Sequence, residues 1–264
     1  MDRSVSLATH EWPASPGTDG EAAPPVALLV HGITGWWRTW WRVGPALADR
    51  GWRVIAVDLL GHGTSPRIDG VATAESWAAD VLATLQELGI AGVDALIGHS
   101  LGAAVAMEVL DRQPELARRA VLEDPPGQTR ADDVEFQANL QREVLAARRD
   151  PESEVRRELA ENPSWLEEDA RQNVEGRVLC DIDGIIASLR ANTGVRVPTL
   201  ARMIRVPALY IIADEERSAL GAARGALIGS LPPGAEAVEL DAGHTIHRDR
   251  FDVYLSQVGR WLER

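Results

Sequence analysis

The sequence predicts an α/β fold, a mostly parallel sheet flanked by helices, and three observations carry that prediction. Short apolar, strand-like runs alternate with amphipathic segments along most of the 264 residues, as they do when helical crossovers link parallel strands. The run Val93–Ile97 meets a second apolar segment, Ala103–Leu110, across Gly98-His99-Ser100-Leu101-Gly102, which reads as strand, sharp turn and helix. The alternation breaks once, from about Gln128 to Val206, in a charge-rich stretch of helical pattern, and Pro207 marks re-entry into the sheet. The expected organisation is therefore a core of residues 1–127 and 207–264 with a helical insertion at 128–206.

Taken in order, Pro13–Pro25 is rich in Pro, Gly, Ala and Ser and reads as an exposed loop among the N-terminal strands. Val26–Val30 and Trp52–Val57 are buried-strand runs. Thr73–Leu88 is a helix, with Trp77, Val81, Leu82, Leu85 and Leu88 near one face. Further strands are expected at Ala120–Leu122, Ala208–Ala213 and Val238–Leu240, and Phe251–Leu262 is expected to close the chain as an amphipathic helix packed on the sheet. No internal repeat is present.

Composition narrows the chemistry. All 27 basic side chains are arginine, so a lysine Schiff base, a P-loop lysine and a serine–lysine dyad are excluded. There is no H-E-x-x-H, His244 and His247 lack a convincing third ligand, and no G-x-G-x-x-G follows a strand, so neither a metal nor a cofactor is expected. The single cysteine, Cys180, reads as a structural thiol. A net charge of −13 disfavours nucleic acid and anionic membrane as partners. Met1–Leu7 shows no apolar core followed by a cleavage site, and no apolar run approaches the ~18 residues of a span, so a cytoplasmic location is expected. A homodimer stays open.

Ser100 is the candidate nucleophile. A serine held in a strained turn needs flanking residues without a Cβ, which Gly98 and Gly102 supply, and the turn aims the Leu101 N–H at a developing oxyanion. After Val26–Val30 comes His31-Gly32-Ile33-Thr34-Gly35, a loop of the type that contributes a second oxyanion N–H, here that of Ile33. His244 follows a strand end in Asp241-Ala242-Gly243-His244 and is the candidate base. His247 is its rival, a helical turn further on, whereas His31, His62 and His99 each sit in a turn motif whose hydrogen bonding they could complete.

With Asp58-Leu59-Leu60-Gly61-His62-Gly63-Thr64-Ser65 added, these landmarks stand in the order of the α/β-hydrolase superfamily, which the chain resembles over nearly its whole length. The resemblance implies an eight-stranded, mostly parallel sheet, a Ser-acid-His triad, cofactor-free hydrolysis and a helical cap over the site. It places the acid after the seventh strand or, in a minority of members, after the sixth. Asp124, in Glu123-Asp124-Pro125-Pro126, fits the minority pattern and is preferred, because the two prolines give it a fixed, extended exit from its strand. As a merely structural residue Asp124 would cap the following segment, and Glu216 and then Asp214 stay open as the acid.

The expected function is hydrolysis of a carboxylic ester or lactone of an apolar small molecule through an acyl-enzyme on Ser100, assisted by His244 and Asp124. Gly32, Trp36 or Trp37, and Trp165 are candidate pocket residues, with Leu166, Ile185, Ile186 and Leu189 as further lining from the cap. Haloalkane dehalogenases and epoxide hydrolases of the superfamily carry Asp at the elbow, where this chain has Ser100. A macrolactone hydrolase of the resorcylic-lactone type, a C–C bond hydrolase and a cofactor-free haloperoxidase remain alternatives on the same triad. A non-catalytic ligand-binding protein on the hydrolase scaffold is the alternative of another class.

Overall fold

The computed structural model describes residues 4–15, 23–127, 133–191 and 197–264. Seven strands, β1 (Thr9–Trp12), β2 (Val26–Val30), β3 (Arg53–Val57), β4 (Val93–His99), β5 (Ala117–Glu123), β6 (Ala208–Ile212) and β7 (Ala235–Glu239), form one sheet in the order β1-β3-β2-β4-β5-β6-β7. Only β1 runs antiparallel to its neighbour, and every other pairing is parallel. Seven described strands replace the eight expected. Before β1 the backbone N–H groups of Val5, Leu7 and Ala8 donate to side chains of Asp80, Thr84 and Ser65, so no further strand pairs there. The expected loop Pro13–Pro25 lies partly outside the described residues.

Helices α1 (Val43–Ala48), α2 (Ala74–Glu87) and α3 (Leu101–Arg112) alternate with the first strands. Thr73 caps α2, its hydroxyl accepting from Ser76 N at 3.2 Å while Ser76 Oγ accepts from Thr73 N at 2.8 Å. Five helices, α4 (Val134–Arg149), α5 (Pro151–Glu161), α6 (Glu167–Leu179), α7 (Ile182–Ala191) and α8 (Val197–Met203), lie between β5 and β6. These helices lie within the stretch 128–206 read as an insertion, whose expected start at Gln128 is outside the described residues. After β6 come α9 (Arg224–Ile228), α10 (Ile246–Asp249) and α11 (Phe251–Leu262). Among the described residues no helix is long and apolar enough to cross a membrane.

Both faces of the sheet are buried, which is why its central strands are continuous apolar runs rather than alternating ones. Leu28 and Val30 of β2 pack with Ile55, Leu96 and the apolar faces of α2 and α3. Ala27 and Leu29 of the same strand point the other way, toward Trp40, Leu47, Tyr254 and Val258. The register sets Val30 beside Gly98, and Gly98 beside Leu122, so the loops after β2, β4 and β5 leave the sheet side by side at its carboxyl edge. In open parallel sheets that edge is where ligands bind.

Candidate active site

Ser100 occupies the turn from β4 to α3 with φ 52° and ψ −119°, a conformation an L-residue adopts only when its surroundings over-determine it. They do so here. Ser100 N donates to Glu123 O at 2.9 Å, and α3 is drawn so close to the sheet that a Cβ on Gly102 would lie 2.1 Å from Val30 O. A Cβ on Gly98 would in turn lie 2.4 Å from Gly102 O, so the two glycines permit the approach.

His244 follows β7 in a loop that returns to this edge. Its Nε2 accepts from Ser100 Oγ at 2.9 Å, and its Nδ1 donates to Asp124 Oδ2 at 2.6 Å. The carboxylate can only accept, so it fixes the imidazole tautomer with the proton on Nδ1. Asp124 is fully buried and takes three further hydrogen bonds, from Ala213 N at 3.1 Å, Ser218 Oγ at 2.6 Å and Ala219 N at 2.8 Å. Of the competing acids, Asp214 accepts from Glu216 N instead, and Glu216 is exposed; neither bonds to His244.

Beneath His244 lies a layer of buried imidazoles. His99 donates through Nε2 to His244 O at 3.0 Å, and burial holds its pKa well below the usual histidine value, so it positions the loop without adding charge. His247, the rival base, is turned away from Ser100: its backbone N and Nδ1 both donate to Glu123, at 2.9 and 2.8 Å. Burial likewise keeps His247 neutral and pushes the Glu123 carboxyl up to about 7. His31 donates from Nδ1 to Gly32 O at 2.7 Å and accepts from Leu59 N at 3.1 Å; His62 donates to Leu60 O.

The backbone N–H groups of Ile33 and Leu101 donate to no other described residue, and both residues line the space in front of Ser100. That space has two parts. One is a cavity of about 560 Å³ with largely apolar walls, including Ile33, Leu101, Phe136, Leu189, Leu220 and Ala223. The other, about 330 Å³, runs past Gly32, Thr245 and Trp165 and is walled by charged side chains. Ser100 and His244 border both.

Among the pocket residues read from sequence, Gly32, Trp165 and Leu189 border these cavities, and Ile185 and Ile186 are buried in the insertion's own core. Leu166 is exposed. Trp36 borders neither cavity: its ring is buried, and its Nε1 donates to Gln172 O of α6 at 3.2 Å. Trp37 stacks on His10, with ring centroids 3.7 Å apart. The Trp36 ring thus ties the loop after β2 to α6, its buried indole N–H finding an acceptor there, while Trp37 packs against β1. Arg248, in the charged run His247-Arg248-Asp249-Arg250, also borders the smaller cavity, and no motif in the sequence marks it out from its neighbours.

This chain belongs to the alpha/beta hydrolase fold family, whose model matches residues 25–251. It is 36% identical over 107 residues to the sn-1-specific diacylglycerol lipase ABHD11 of Xenopus tropicalis, a match covering 40% of this chain and 33% of that protein. The chain matches about a third of the length of the first curated relatives. Among solved structures it is similar to the enol-lactonase of Burkholderia xenovorans, with TM-score 0.74 and 23% identity over 98% of this chain and 96% of that one. A thermophilic esterase of Thermogutta terrifontis superposes with TM-score 0.72 and 23% identity, over 97% and 93% of the two chains. At such identities the structural likeness is one of fold.

Proposed function

We propose that this chain is a serine hydrolase that cleaves a carboxylic ester or lactone with an apolar portion. The observation that carries the proposal is the continuous line of hydrogen bonds from Ser100 Oγ through His244 to Asp124 Oδ2. In this reading Ser100 Oγ attacks the carbonyl carbon as its proton passes to His244 Nε2, and Asp124 steadies the imidazolium. The oxyanion is held by the N–H groups of Ile33 and Leu101, donors already in place before reaction. Collapse of the tetrahedral intermediate expels the alkoxide, which takes the proton from His244. Water then gives a proton back to His244 Nε2, attacks the acyl-enzyme and releases the acid with Ser100 restored.

The helices between β5 and β6 act as the cap in this reading: α4 and α7 supply Phe136 and Leu189 to the apolar cavity, which takes one side of the substrate. The lipase, lactonase and esterase activities of the similar proteins support an acyl-transfer chemistry.

The test is hydrolysis of p-nitrophenyl esters of increasing acyl length beside Ser100→Ala. Burst release in the native protein, with turnover falling by about 10⁴-fold or more in the variant, is expected. Folded protein that turns over no ester or lactone, or a Ser100→Ala variant that retains activity, overturns the reading.

A further inference from the structure

The smaller cavity beside Ser100 contains a buried cation that no carboxylate among the described residues bonds. Arg248 is 3% exposed, yet its guanidinium forms no ion pair or hydrogen bond with any described residue, and its Nε is buried without a partner. Its guanidinium lies over the face of Trp165, whose ring centroid is 4.8 Å from Cζ. Taking a guanidinium out of water is costly unless an anion offsets the lost hydration, and a cation–π contact offsets only part of it.

From this arrangement we infer that Arg248 is the anchor of an anion subsite, and that the substrate is an ester or lactone bearing a carboxylate on the side of the scissile carbonyl opposite its apolar part. The inference rests on the serine-hydrolase reading for the word substrate, but the binding site stands on its own geometry. Arg248 lines the same cavity of about 330 Å³ that Ser100 and His244 border. It belongs to α10, which begins two residues after His244, so substrate anchor and base are carried by one short segment.

The other charged walls of that cavity are committed. Arg157 pairs with Glu161 at 2.6 Å and Glu154 at 2.8 Å, and Arg177 pairs with Glu143 at 3.0 Å and with Glu158. Asp249 accepts from Gly243 N and from Trp165 Nε1. Asp169 and Glu158 are close enough to favour the charged form of Arg248 but not to bond it, and burial lowers its pKa only to about 10, so it stays cationic at neutral pH. A planar guanidinium with free edges matches a carboxylate in two parallel hydrogen bonds. The acidic residues on the same walls favour a ligand with one negative charge over a phosphate dianion.

Two esters of equal length test this: p-nitrophenyl hemiglutarate, which carries a terminal carboxylate, and p-nitrophenyl pentanoate, which does not. The native protein should favour the hemiglutarate by about tenfold or more in kcat/KM, chiefly through KM, and Arg248→Met should abolish that preference. An equal or reversed preference in the native protein, or a ratio unchanged in Arg248→Met, overturns the inference. Should the variant fail to fold, the native protein answers alone: glutarate should inhibit pentanoate hydrolysis competitively and glutaramide should not, and equal inhibition by both sinks the subsite. If neither ester turns over, the hydrolase reading fails separately. Calorimetric titration of glutarate into native protein and Arg248→Met then decides the subsite, with binding lost in the variant expected and binding equal or absent in both overturning it.

Discussion

Asp124 combines two features of a residue held for orientation: a positive φ of 37° and a buried carboxylate taking four hydrogen bonds. Asparagine keeps the shape of this side chain but brings an N–H₂ group to a site filled by donors, and the amide can leave His244 in the wrong tautomer. Asp124→Asn should therefore lower kcat by about 10³–10⁴-fold with KM little changed. Glu216→Gln, on the exposed loop, should leave both within about twofold, as remote surface changes do. Steady-state kinetics on a p-nitrophenyl ester separates the two, and the opposite ranking would assign the acid to Glu216. The two prolines after Asp124 already favoured it among these carboxylates, and the path of the chain after β5 and β6 is what brings its oxygen to His244 Nδ1.

At the scale of elements, α3 packs closely against the ends of β2 and β4. Gly102 sits against Val30 O and His31 O, so a methyl group there must push the helix off the sheet. Gly102→Ala is expected to cost about 3 kcal/mol, measured by urea unfolding, and to cut kcat by displacing the Leu101 N–H from the oxyanion. A variant with native stability would show that the elbow tolerates displacement. The tryptophans after β2 tell the complementary story. Trp36 Nε1 bonds Gln172 O, and Trp41 Nε1 bonds Asp169 Oδ1 at 2.9 Å, so they fasten α6 to the sheet. Trp165 reaches back the other way, to Asp249 Oδ1 at 2.6 Å. Three indole hydrogen bonds thereby pin the inserted helices, the last of them beside His244.

For the whole molecule, the buried imidazoles govern stability in acid. His31 has its pKa lowered to about 4 and His62 to about 3, chiefly by burial, while in the unfolded chain both titrate near 6.5. A depressed folded pKa means stability is intact above 6.5 and is lost as pH falls toward the folded value, because the unfolded state binds the proton first. For His31 alone the loss amounts to about 3 kcal/mol between pH 6.5 and 4. Glu123, raised to about 7, works in the opposite sense, its stabilisation fading as pH rises from about 4.5 through 7. With His99 and His247 also held neutral, the histidines dominate, and the Tm should fall steeply below pH 6.5. His31→Gln, which can keep both hydrogen bonds, should flatten that fall; an unaltered pH profile would remove His31 from the account.

Local patterns were enough for the layered α/β architecture, for the sharp turn at Ser100 between β4 and α3, and for the helix Phe251–Leu262. Each depends on a periodicity, a glycine or a turn within a few residues, which is the range over which backbone sterics and apolar spacing act. The strand count, the turning of His247 toward Glu123 and of Trp36 toward α6, and the unpaired charge of Arg248 all came from contacts between residues far apart in the chain. Side-chain direction and ion pairing across such distances are settled by packing, because burial and desolvation depend on what the folded chain brings alongside and not on what is adjacent in sequence.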